Sequence, residues 1–443
     1  MAISPTVAAP PSRRTVVAAC FGHAIEWFEF GVYGYLATTL GKVFFPSTDS
    51  TASLLAALAT FGVAFFARPF GAVLFGHLGD KLGRRAILST TILLMGGATA
   101  LIGLLPTHAT IGIAAPILLI VLRLVQGLSA GGETSGAATF LAESAPEGRR
   151  ALWTSSIQAV GIVAFVIASS LVAVLNATLG SEAMLAYGWR IPFLLSFPLA
   201  VGGLYLRLKV EETPAYREAM DKKPTETHKV PIAELLSRHK MSLLLLISIV
   251  MVEAVASYVA KTYASTYLIA TIGLTAERAL ISTAITLLFA AALVPFYAVL
   301  SDRVGRKPLL IFGTIGLMIM AVPAFLLIGT GSLLGAIVGQ MLAIIPGTAI
   351  SVAVVVAQAE LFPTRVRYSG AAVGYNVAYA MFGGTAPFVA AALVAATGVK
   401  LSPAFYLIGI GLIGLVAMVK LPETSKRRMD DAMLTTAPVP AGV

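Results

Sequence analysis

Twelve long apolar segments follow one another along this chain, and they constrain its fold more than any other feature. Each runs for about 20 residues or more, the length that an α-helix needs to cross the hydrocarbon core of a bilayer. The sequence therefore predicts twelve membrane-spanning helices. They lie near residues 15–40, 52–79, 86–105, 112–140, 152–176, 189–208, 242–271, 277–300, 308–329, 332–358, 368–396 and 402–420.

The composition decides between a membrane and a soluble setting for these segments. Charged residues make up 12% of the chain and hydrophobic residues 58%, whereas roughly a quarter of the residues of a soluble globular protein are charged. Too few polar side chains remain to surround twelve helices in water. The apolar runs are also continuous, unlike the alternating strands of about ten residues in a membrane β-barrel. We therefore predict an all-α integral membrane protein.

The distribution of positive charge predicts the orientation. If the N-terminus is cytoplasmic, 24 of the 31 Lys and Arg residues fall in cytoplasmic segments and only 4 in outer segments. Such a bias is typical of cytoplasmic loops, so we expect a multi-pass protein of the plasma (inner) membrane with both termini in the cytoplasm. Membrane topology also accounts for the net charge of +10 without a nucleic-acid partner.

Three short signatures occur twice in the same order. GHLGDKLGRRAIL (76–88) returns as AVLSDRVGRKPLL (298–310). ESAPEGRR (143–150) and ELFPTRVR (360–367) each place a Pro three residues and an Arg seven residues after a Glu. KVEET and KLPET follow the sixth and twelfth segments, and the three pairs of copies are displaced by 222, 217 and 211 residues. This spacing predicts two halves of six helices, related as parallel repeats about an axis along the membrane normal.

The repeat and the charge pattern together define the domain organisation. A charged stretch, EETPAYREAMDKKPTETHK, separates the two halves. We predict a cytoplasmic tail at residues 1–14, a six-helix bundle at 15–210, a cytoplasmic linker at 211–240, a second six-helix bundle at 241–420 and a cytoplasmic tail at 421–443.

The first signature indicates a conformational clasp. Asp80 and Asp302 end apolar helices on the cytoplasmic side, where the helix dipole disfavours an anion. Each therefore needs a partner, either an Arg of the same loop or the positive N-terminus of another helix. Such a contact can hold the two bundles together on one side of the membrane; the alternative is that the cations serve only as topology anchors. The predicted clasp comprises Gly76, Asp80, Gly83, Arg84, Asp302, Gly305 and Arg306.

Ionisable side chains inside a span are costly and mark candidate functional sites. In the first segment, HAIEWFEFGVY places His23, Glu26, Phe30 and Tyr33 within about 80° of one another on a helix, and Glu29 lies beside that face. We expect this face to point into a cavity, with Glu26 and Glu29 as candidate proton carriers. The alternative is a Glu that a neighbouring cation fixes for packing alone.

The fourth segment contributes Arg123, with Gln126 one turn later and Glu133 beyond a Gly-Gly break. Because a guanidinium stays charged at any physiological pH, Arg123 needs a carboxylate partner, supplied either by the first segment or by the substrate. We predict that proton coupling runs through Glu26, with Arg123 setting its proton affinity. In the second segment, Arg68 fits an outer-half anchor as well as a site residue.

The seventh and eleventh segments supply further polar groups. Glu253 and Lys261 are about 80° apart in rotation and about 12 Å apart in rise on a helix, so each should pair elsewhere. We predict that Lys261 contacts a substrate carboxylate; the alternative is an ion pair with a buried Glu. Tyrosine rings can stack on a quaternary ammonium or merely pack. The candidate substrate-binding residues are Tyr33, Arg123, Gln126, Gln158, Glu253, Tyr258, Lys261, Tyr375, Asn376 and Tyr379, and the candidate proton-coupling residues are Glu26, Glu29, Arg123 and Glu133.

A membrane-embedded enzyme or sensor is the main rival class. An enzyme needs a nucleophile–base pair or a metal cluster, whereas this chain has five His residues without ligand spacing and one Cys. A sensor would not need two matched halves. We therefore predict a transporter rather than an enzyme, with no metal site and no cofactor other than a coupling proton.

Several motifs resemble those of known transporters. GHLGDKLGRRAIL resembles the loop motif of the major facilitator superfamily, and RLVQGLSAGGE (123–133) resembles its fourth-helix motif. Segments at 22–46, 187–193, 211–216 and 367–379 resemble the metabolite:proton symporter branch, which includes proline/glycine-betaine, α-ketoglutarate, citrate and shikimate transporters. The resemblance covers roughly the whole chain between the two predicted tails.

This resemblance implies the major facilitator fold and proton-coupled symport of a small carboxylate-bearing solute by alternating access. It also implies that Arg123 takes part in proton coupling, that a monomer is functional, and that the partners are the solute, protons and membrane lipid. His23 stands where the branch usually has Asn, so we assign it no proton role. A zwitterionic osmolyte and an organic acid both remain open as the solute.

Overall fold

The computed structural model describes residues 13–82, 84–131, 133–208 and 231–425, and these residues form helices joined by short turns. The helices are α1 (Arg13–Tyr35), α2 (Ala37–Phe44), α3 (Ser50–Leu82), α4 (Arg84–Leu104), α5 (His108–Ile111), α6 (Ala114–Ala130), α7 (Glu133–Ser144), α8 (Arg150–Ala183), α9 (Arg190–Leu208), α10 (Pro231–Arg238), α11 (Lys240–Tyr258), α12 (Ala264–Tyr267), α13 (Ala276–Val304), α14 (Arg306–Ile328), α15 (Leu333–Glu360), α16 (Thr364–Ala378), α17 (Ala386–Thr397) and α18 (Ser402–Lys420). Single π-helical turns lie at Met184–Gly188, Val259–Tyr263, Leu268–Ile272 and Tyr379–Gly383.

The helices cover every predicted span, which confirms the twelve-helix fold. Nine segments of the described chain are long and apolar enough to cross a bilayer. The third and sixth spans are shorter apolar stretches, Ser89–Leu104 and Arg190–Tyr205, and α1 is the first span. The fourth span is α6 with α7, the seventh is α11 with α12, and the eleventh is α16 with α17.

Among the described residues, three short helices lie outside the twelve spans. Helix α2 follows α1, α5 precedes α6, and α10 occupies the end of the segment predicted as a linker. The rest of that linker, residues 211–230, lies outside the described residues. The two bundles meet along α8 and α13, which are the fifth and eighth spans.

Helix ends follow local sequence. The Ser332 hydroxyl caps α15 by accepting a hydrogen bond from the Gly335 backbone N–H at 3.0 Å, as expected for an N-cap serine. Helix α13 ends at Gly305, whose φ of 107° is readily adopted only by glycine. That turn leads directly into α14, so the loop in the second copy of the first signature is tight.

Two glycines bring α3 and α6 into backbone contact. Gly127 of α6 lies against the Ala64 carbonyl of α3, and Gly131 lies against the Arg68 carbonyl. A Cβ atom at either position would overlap a carbonyl oxygen. Small residues allow helices in membranes to approach this closely. Arg68 and Arg123, one on each side of this contact, both reach the Phe30 ring, with guanidinium carbons 5.6 and 5.1 Å from its centroid.

Asp302 joins the two halves at the end of the bundles that the sequence predicts to be cytoplasmic. Its carboxylate accepts hydrogen bonds from the backbone N–H groups of Ala151 at 2.9 Å and Leu152 at 3.1 Å, the N-terminus of α8. Arg306 Nη1 lies 3.1 Å from the same carboxylate. Both predicted kinds of partner are therefore present in the second copy of the first signature. In the first copy, Gly83 and the side chains of Asp80 and Arg84 lie outside the described residues, and the surroundings of Gly76 are not described either.

The second signature forms ion pairs that are exchanged between the halves. Arg367 Nη1 lies 2.7 Å from Glu143 Oε1, and Arg150 Nη1 lies 3.5 Å from Glu360 Oε1. The repeat equates Glu143 with Glu360 and Arg150 with Arg367. Each Glu thus pairs with the Arg of the other copy, and the two ion pairs join the bundles at this end.

The third signature secures the same region from the C-terminal side. Glu423 accepts hydrogen bonds from the backbone N–H groups of Arg306 at 2.9 Å and Lys307 at 3.0 Å, and Thr424 donates to Glu360. Partial burial alone would raise the pKa of Glu423, but the backbone donors of Arg306, Ser425 and Lys307 outweigh it and lower that pKa. Glu423 is therefore an anion that caps the N-terminus of α14.

Charge reversal tests the exchanged ion pairs. Glu143→Arg places like charges together, so it should shift the bundles toward an inward-open state by about fivefold, the equivalent of about 1 kcal/mol for a partly exposed pair. The double variant Glu143→Arg/Arg367→Glu should restore the wild-type balance. Cysteine labelling from the cytoplasmic side measures that balance. Glu147→Arg, an equal charge change on an exposed residue of the same loop, is the control, and an equal effect there would contradict the clasp.

Alanine substitution tests the close contact of α3 and α6. Gly127→Ala should lower the thermal midpoint in detergent, because overpacking costs about 1–3 kcal/mol. Gly97→Ala is the matched control: the added methyl group would have no atom within 4 Å, and replacing a mid-helix glycine gains roughly 0.5–1 kcal/mol. If both variants gain stability, α3 and α6 are not held in backbone contact.

Candidate binding and coupling site

A buried ion pair lies at the centre of the first half. Arg68 Nη2 lies 2.6 Å from Glu26 Oε1, and the two side chains are 1% and 0% exposed. The guanidinium also donates to the Ala130 carbonyl and to Asn376 Oδ1, both at 3.4 Å. Arg68 is thus a residue of the site rather than an outer anchor, and it is the ion-pair partner of Glu26. Among the described residues no ion pair joins Arg123 to Glu26, which is one of the partners that the sequence leaves open for Arg123.

Arg123 belongs to a separate polar network. It donates to Gln126 Oε1 at 3.0 Å and to the Phe61 carbonyl at 3.1 Å, and its guanidinium carbon lies 4.2 Å from the Tyr33 ring centroid. Gln126 Nε2 donates to the Thr99 hydroxyl at 2.5 Å. Because that hydroxyl in turn contacts Glu29, the network links Arg123 to Glu29 through two neutral side chains.

The second half contributes a carboxylate surrounded by hydroxyl groups. Glu253 accepts hydrogen bonds from Ser257 at 2.9 Å, Ser351 at 3.0 Å and Tyr379 at 2.7 Å. It lines a small cavity together with Gln158, Ser351, Val354, Val355 and Tyr375. Glu253 therefore finds its partners away from Lys261, as the helical spacing predicts.

Lys261 is a buried cation on the π-helical turn of the seventh span, and its side chain is 6% exposed. Its Nζ atom lies 6.0 Å from the Trp27 ring centroid. None of the ion pairs found among the described residues includes Lys261. In the described part of the chain, Lys261 therefore forms no ion pair with Glu253 or Glu29, the alternative to a contact with solute.

Four aromatic rings, two from each half, cluster between these charges. Trp27 stacks on Tyr258, with 6.2 Å between centroids and 27° between planes. Tyr258 contacts Phe65 at 5.3 Å and Tyr379 at 5.9 Å, and Trp27 meets Tyr379 edge-on at 6.2 Å. We call Trp27, Phe65, Tyr258 and Tyr379 the aromatic cluster. Trp27 is 40° from His23 on the α1 wheel, so the helical pattern could have identified it, whereas nothing in the sequence singles out Phe65.

The remaining predicted residues divide between the site and its supports. Tyr375 stacks on Tyr379 with a centroid distance of 4.3 Å. Asn376 Nδ2 donates to the Gly131 carbonyl of the other half at 2.7 Å and to the Ala372 carbonyl at 2.9 Å. Because its oxygen also accepts from Arg68, Asn376 serves as a contact between the halves. The side chain of Glu133 lies outside the described residues.

The two halves also meet at the level of the site. The Tyr35 hydroxyl donates to the Lys261 carbonyl at 2.9 Å, and Gly62 lies against the Gly384 carbonyl. Together with the contacts of Asp302 and the exchanged ion pairs, these contacts bury the central charges between the two halves. The site is therefore occluded.

Comparison with known proteins matches this geometry to one family. The family model described as sugar (and other) transporter matches residues 15–230 and 216–433. A proline/betaine transporter of Salmonella typhimurium is 39% identical over 429 residues, which cover 95% of this chain and 85% of the relative. An ectoine/proline transporter of Corynebacterium glutamicum is 37% identical over 438 residues, which cover 96% and 86%.

Solved structures agree on the fold. A D-xylose–proton symporter superimposes with a TM-score of 0.72 at 19% identity, covering 93% of this chain and 98% of that one. A partially occluded inward-open xylose transporter of E. coli gives a TM-score of 0.71 at 18% identity, covering 94% and 99%. The chain is a multi-pass membrane transporter that belongs to the sugar (and other) transporter family of the major facilitator superfamily, in its metabolite:proton symporter branch.

Proposed function

We propose that the chain imports a small zwitterionic compatible solute, of the proline, glycine betaine or ectoine kind, together with protons. The observation that carries this proposal is the aromatic cluster built by both halves beside a buried lysine without an ion-pair partner among the described residues. A zwitterion has two ends, and the site offers a fitting surface for each.

The aromatic cluster suits the ammonium end. A methylated ammonium cannot donate hydrogen bonds, and the faces of Trp and Tyr attract such a cation within about 6 Å of the ring centroid. Glu253 supplies a negative charge next to Tyr379. In the occluded structure the rings touch one another, so the ammonium group would take the place of ring–ring contacts.

Lys261 suits the carboxylate end. A lysine near the middle of a membrane costs about 2.5–3.5 kcal/mol on insertion scales, and a solute carboxylate would offset that cost. Arg68 is already neutralised by Glu26, and Arg123 donates to Gln126 and to the Phe61 carbonyl. Lys261, by contrast, lies beside Trp27 of the aromatic cluster. The buried Tyr258 hydroxyl has no hydrogen-bond partner among the described residues and is a second donor.

An organic acid is the second candidate solute, because a fixed cation in the site would also bind a net anion. Two observations favour the zwitterion. The site pairs its cation with aromatic faces and a carboxylate, Glu253, which would repel a second acidic group. The relatives reported above are named for proline, betaine and ectoine transport.

Proton coupling is assigned to the network of Glu29, Thr99, Gln126 and Arg123. Glu29 contacts a hydroxyl rather than a cation, so it can exchange a proton without breaking an ion pair. Protonation of Glu26 would instead break the contact with Arg68. We place Glu29 as the proton carrier and the ion pair of Glu26 as the element that relays its state to the other half.

The topology follows the charge bias of the sequence, with both termini in the cytoplasm. The two halves of a single chain together supply the central charges and the aromatic cluster, which supports function as a monomer. The clasp on the cytoplasmic side then closes the route to the cell interior, and rocking of one bundle against the other exposes the site alternately.

Lys261→Ala tests the solute class. In vesicles, wild-type uptake of labelled proline, betaine and ectoine should exceed that of α-ketoglutarate, citrate and shikimate. Lys261→Ala should weaken zwitterion binding by about tenfold, since a charge-assisted hydrogen bond is lost. Thermal stability should stay near wild type. If the wild type prefers the organic acids, the proposal of a zwitterionic solute is contradicted. If Lys261→Ala is unstable and the double variant Glu253→Ala/Lys261→Ala recovers both stability and normal binding, Lys261 has a structural role.

Glu29→Gln tests the proton route. An amide keeps the size of the side chain but cannot carry a proton, so a pH gradient should no longer drive accumulation, while exchange of solute persists. Glu26→Gln is the contrasting variant: it leaves Arg68 without its ion pair and should impair accumulation and exchange alike. Gradient-driven accumulation by Glu29→Gln at the wild-type level would exclude Glu29 as the carrier.

A further inference from the structure

His23 holds the indole ring of Trp27 by a hydrogen bond within α1. Trp27 Nε1 donates to His23 Nδ1 at 3.2 Å, one helical turn away. The two rings meet edge-to-face, with 5.6 Å between centroids and 65° between planes. Both side chains are buried. The bond uses the only polar atom of the indole, so it fixes the rotation of the ring.

A glycine of α8 packs against these two rings. A Cβ atom on Gly161 would lie 3.3 Å from His23 Nε2 and 3.5 Å from Trp27 Cδ1. Both rings therefore pack against the α8 backbone, where a larger residue would press on the imidazole. Helix α8 supports the pair from behind, and Phe165 contacts Trp27 from the same helix at 5.6 Å.

The fixed ring presents its face to the site. Trp27 is nearly parallel to Tyr258 across the boundary between the halves, and it meets Tyr379 with its edge. A turn of the indole about its own axis would replace the face by the edge. Because a cation is attracted by the face of an aromatic ring and repelled by its edge, the orientation of Trp27 decides how well the cluster binds an ammonium group.

The hydrogen bond requires a neutral imidazole. Nδ1 accepts, so the ring proton is on Nε2, and an imidazolium would have no acceptor left. His23 therefore acts here through geometry and not by carrying a proton. None of its polar atoms is needed for contact with solute.

We propose that His23 is a positioning residue that sets the preference for a quaternary over a secondary ammonium by fixing Trp27. The proposal rests on the proposed function, in which the aromatic cluster binds the ammonium end of the solute. A quaternary ammonium depends wholly on ring faces. The secondary ammonium of proline can also donate hydrogen bonds to Glu253 or to a tyrosine hydroxyl, so it is less sensitive to a misplaced indole.

The test compares half-saturation for glycine betaine and for proline in vesicles. His23→Leu removes the acceptor and should weaken betaine binding by about fivefold to tenfold, in line with the loss of one buried hydrogen bond. The same variant should weaken proline binding by about twofold at most. His23→Asn keeps an acceptor oxygen on Cγ, at the place of Nδ1, and should retain the wild-type ratio. If His23 had a purely structural role, His23→Leu would weaken the binding of both solutes equally, and His23→Asn would not restore it.

Trp27→Phe supplies the second background, because it keeps a ring without the N–H group. Trp27→Phe should shift the ratio of betaine to proline half-saturation in the same direction as His23→Leu, and it provides this test even if His23→Leu fails to insert. In the double variant, His23→Leu should cause no further shift beyond that of Trp27→Phe alone. An equal loss for both solutes, or a further loss of betaine in the Trp27→Phe background, would overturn the proposal. Unchanged betaine binding in Trp27→Leu would contradict the proposed function, because the aromatic cluster would then not bind the ammonium group. If Trp27→Leu weakens betaine binding but His23→Leu does not, only the proposed role of His23 is refuted.

Discussion

The buried ion pair of Glu26 and Arg68 is the contact on which the centre of the protein depends. Two charges that are almost fully buried can persist only together, and loss of one partner from such a pair costs about 3–5 kcal/mol. The same guanidinium reaches Asn376 of the other half. A cation that neutralises an acid of one bundle is therefore also part of the surface between the bundles, so charge at Glu26 and contact between the halves cannot change independently.

Helix α16 extends this dependence to the end of the bundles where Arg367 pairs with Glu143. Asn376 contacts Arg68 and the Gly131 carbonyl near the centre, and Arg367, nine residues earlier on α16, pairs with Glu143. Nine residues of helix span about 13 Å. Because a helix moves as a stiff body, release of the central contact and release of the exchanged ion pair are two ends of one motion.

The sequence predicts the fold well and the site in part, for a physical reason. Span length, charge bias and the repeat depend on each segment alone, so the twelve helices and the partners of Asp302 could be foreseen. Which side chains meet across helices depends on azimuth and depth, which a single helix does not define. The glycine contact of α6 with α3 brings Arg68 rather than Arg123 to Glu26, and no periodicity in either helix indicates this.

The aromatic cluster also gives the two halves a packed contact at the site. A symporter that returns empty must close around a site that holds nothing, and an unfilled cavity between the halves would forfeit packing. Trp27 and Phe65 of one half instead contact Tyr258 and Tyr379 of the other. An ammonium group offers the same rings a cation–π contact in exchange. Both the empty and the loaded carrier can therefore pass through the closed state, which alternating access with net uptake requires.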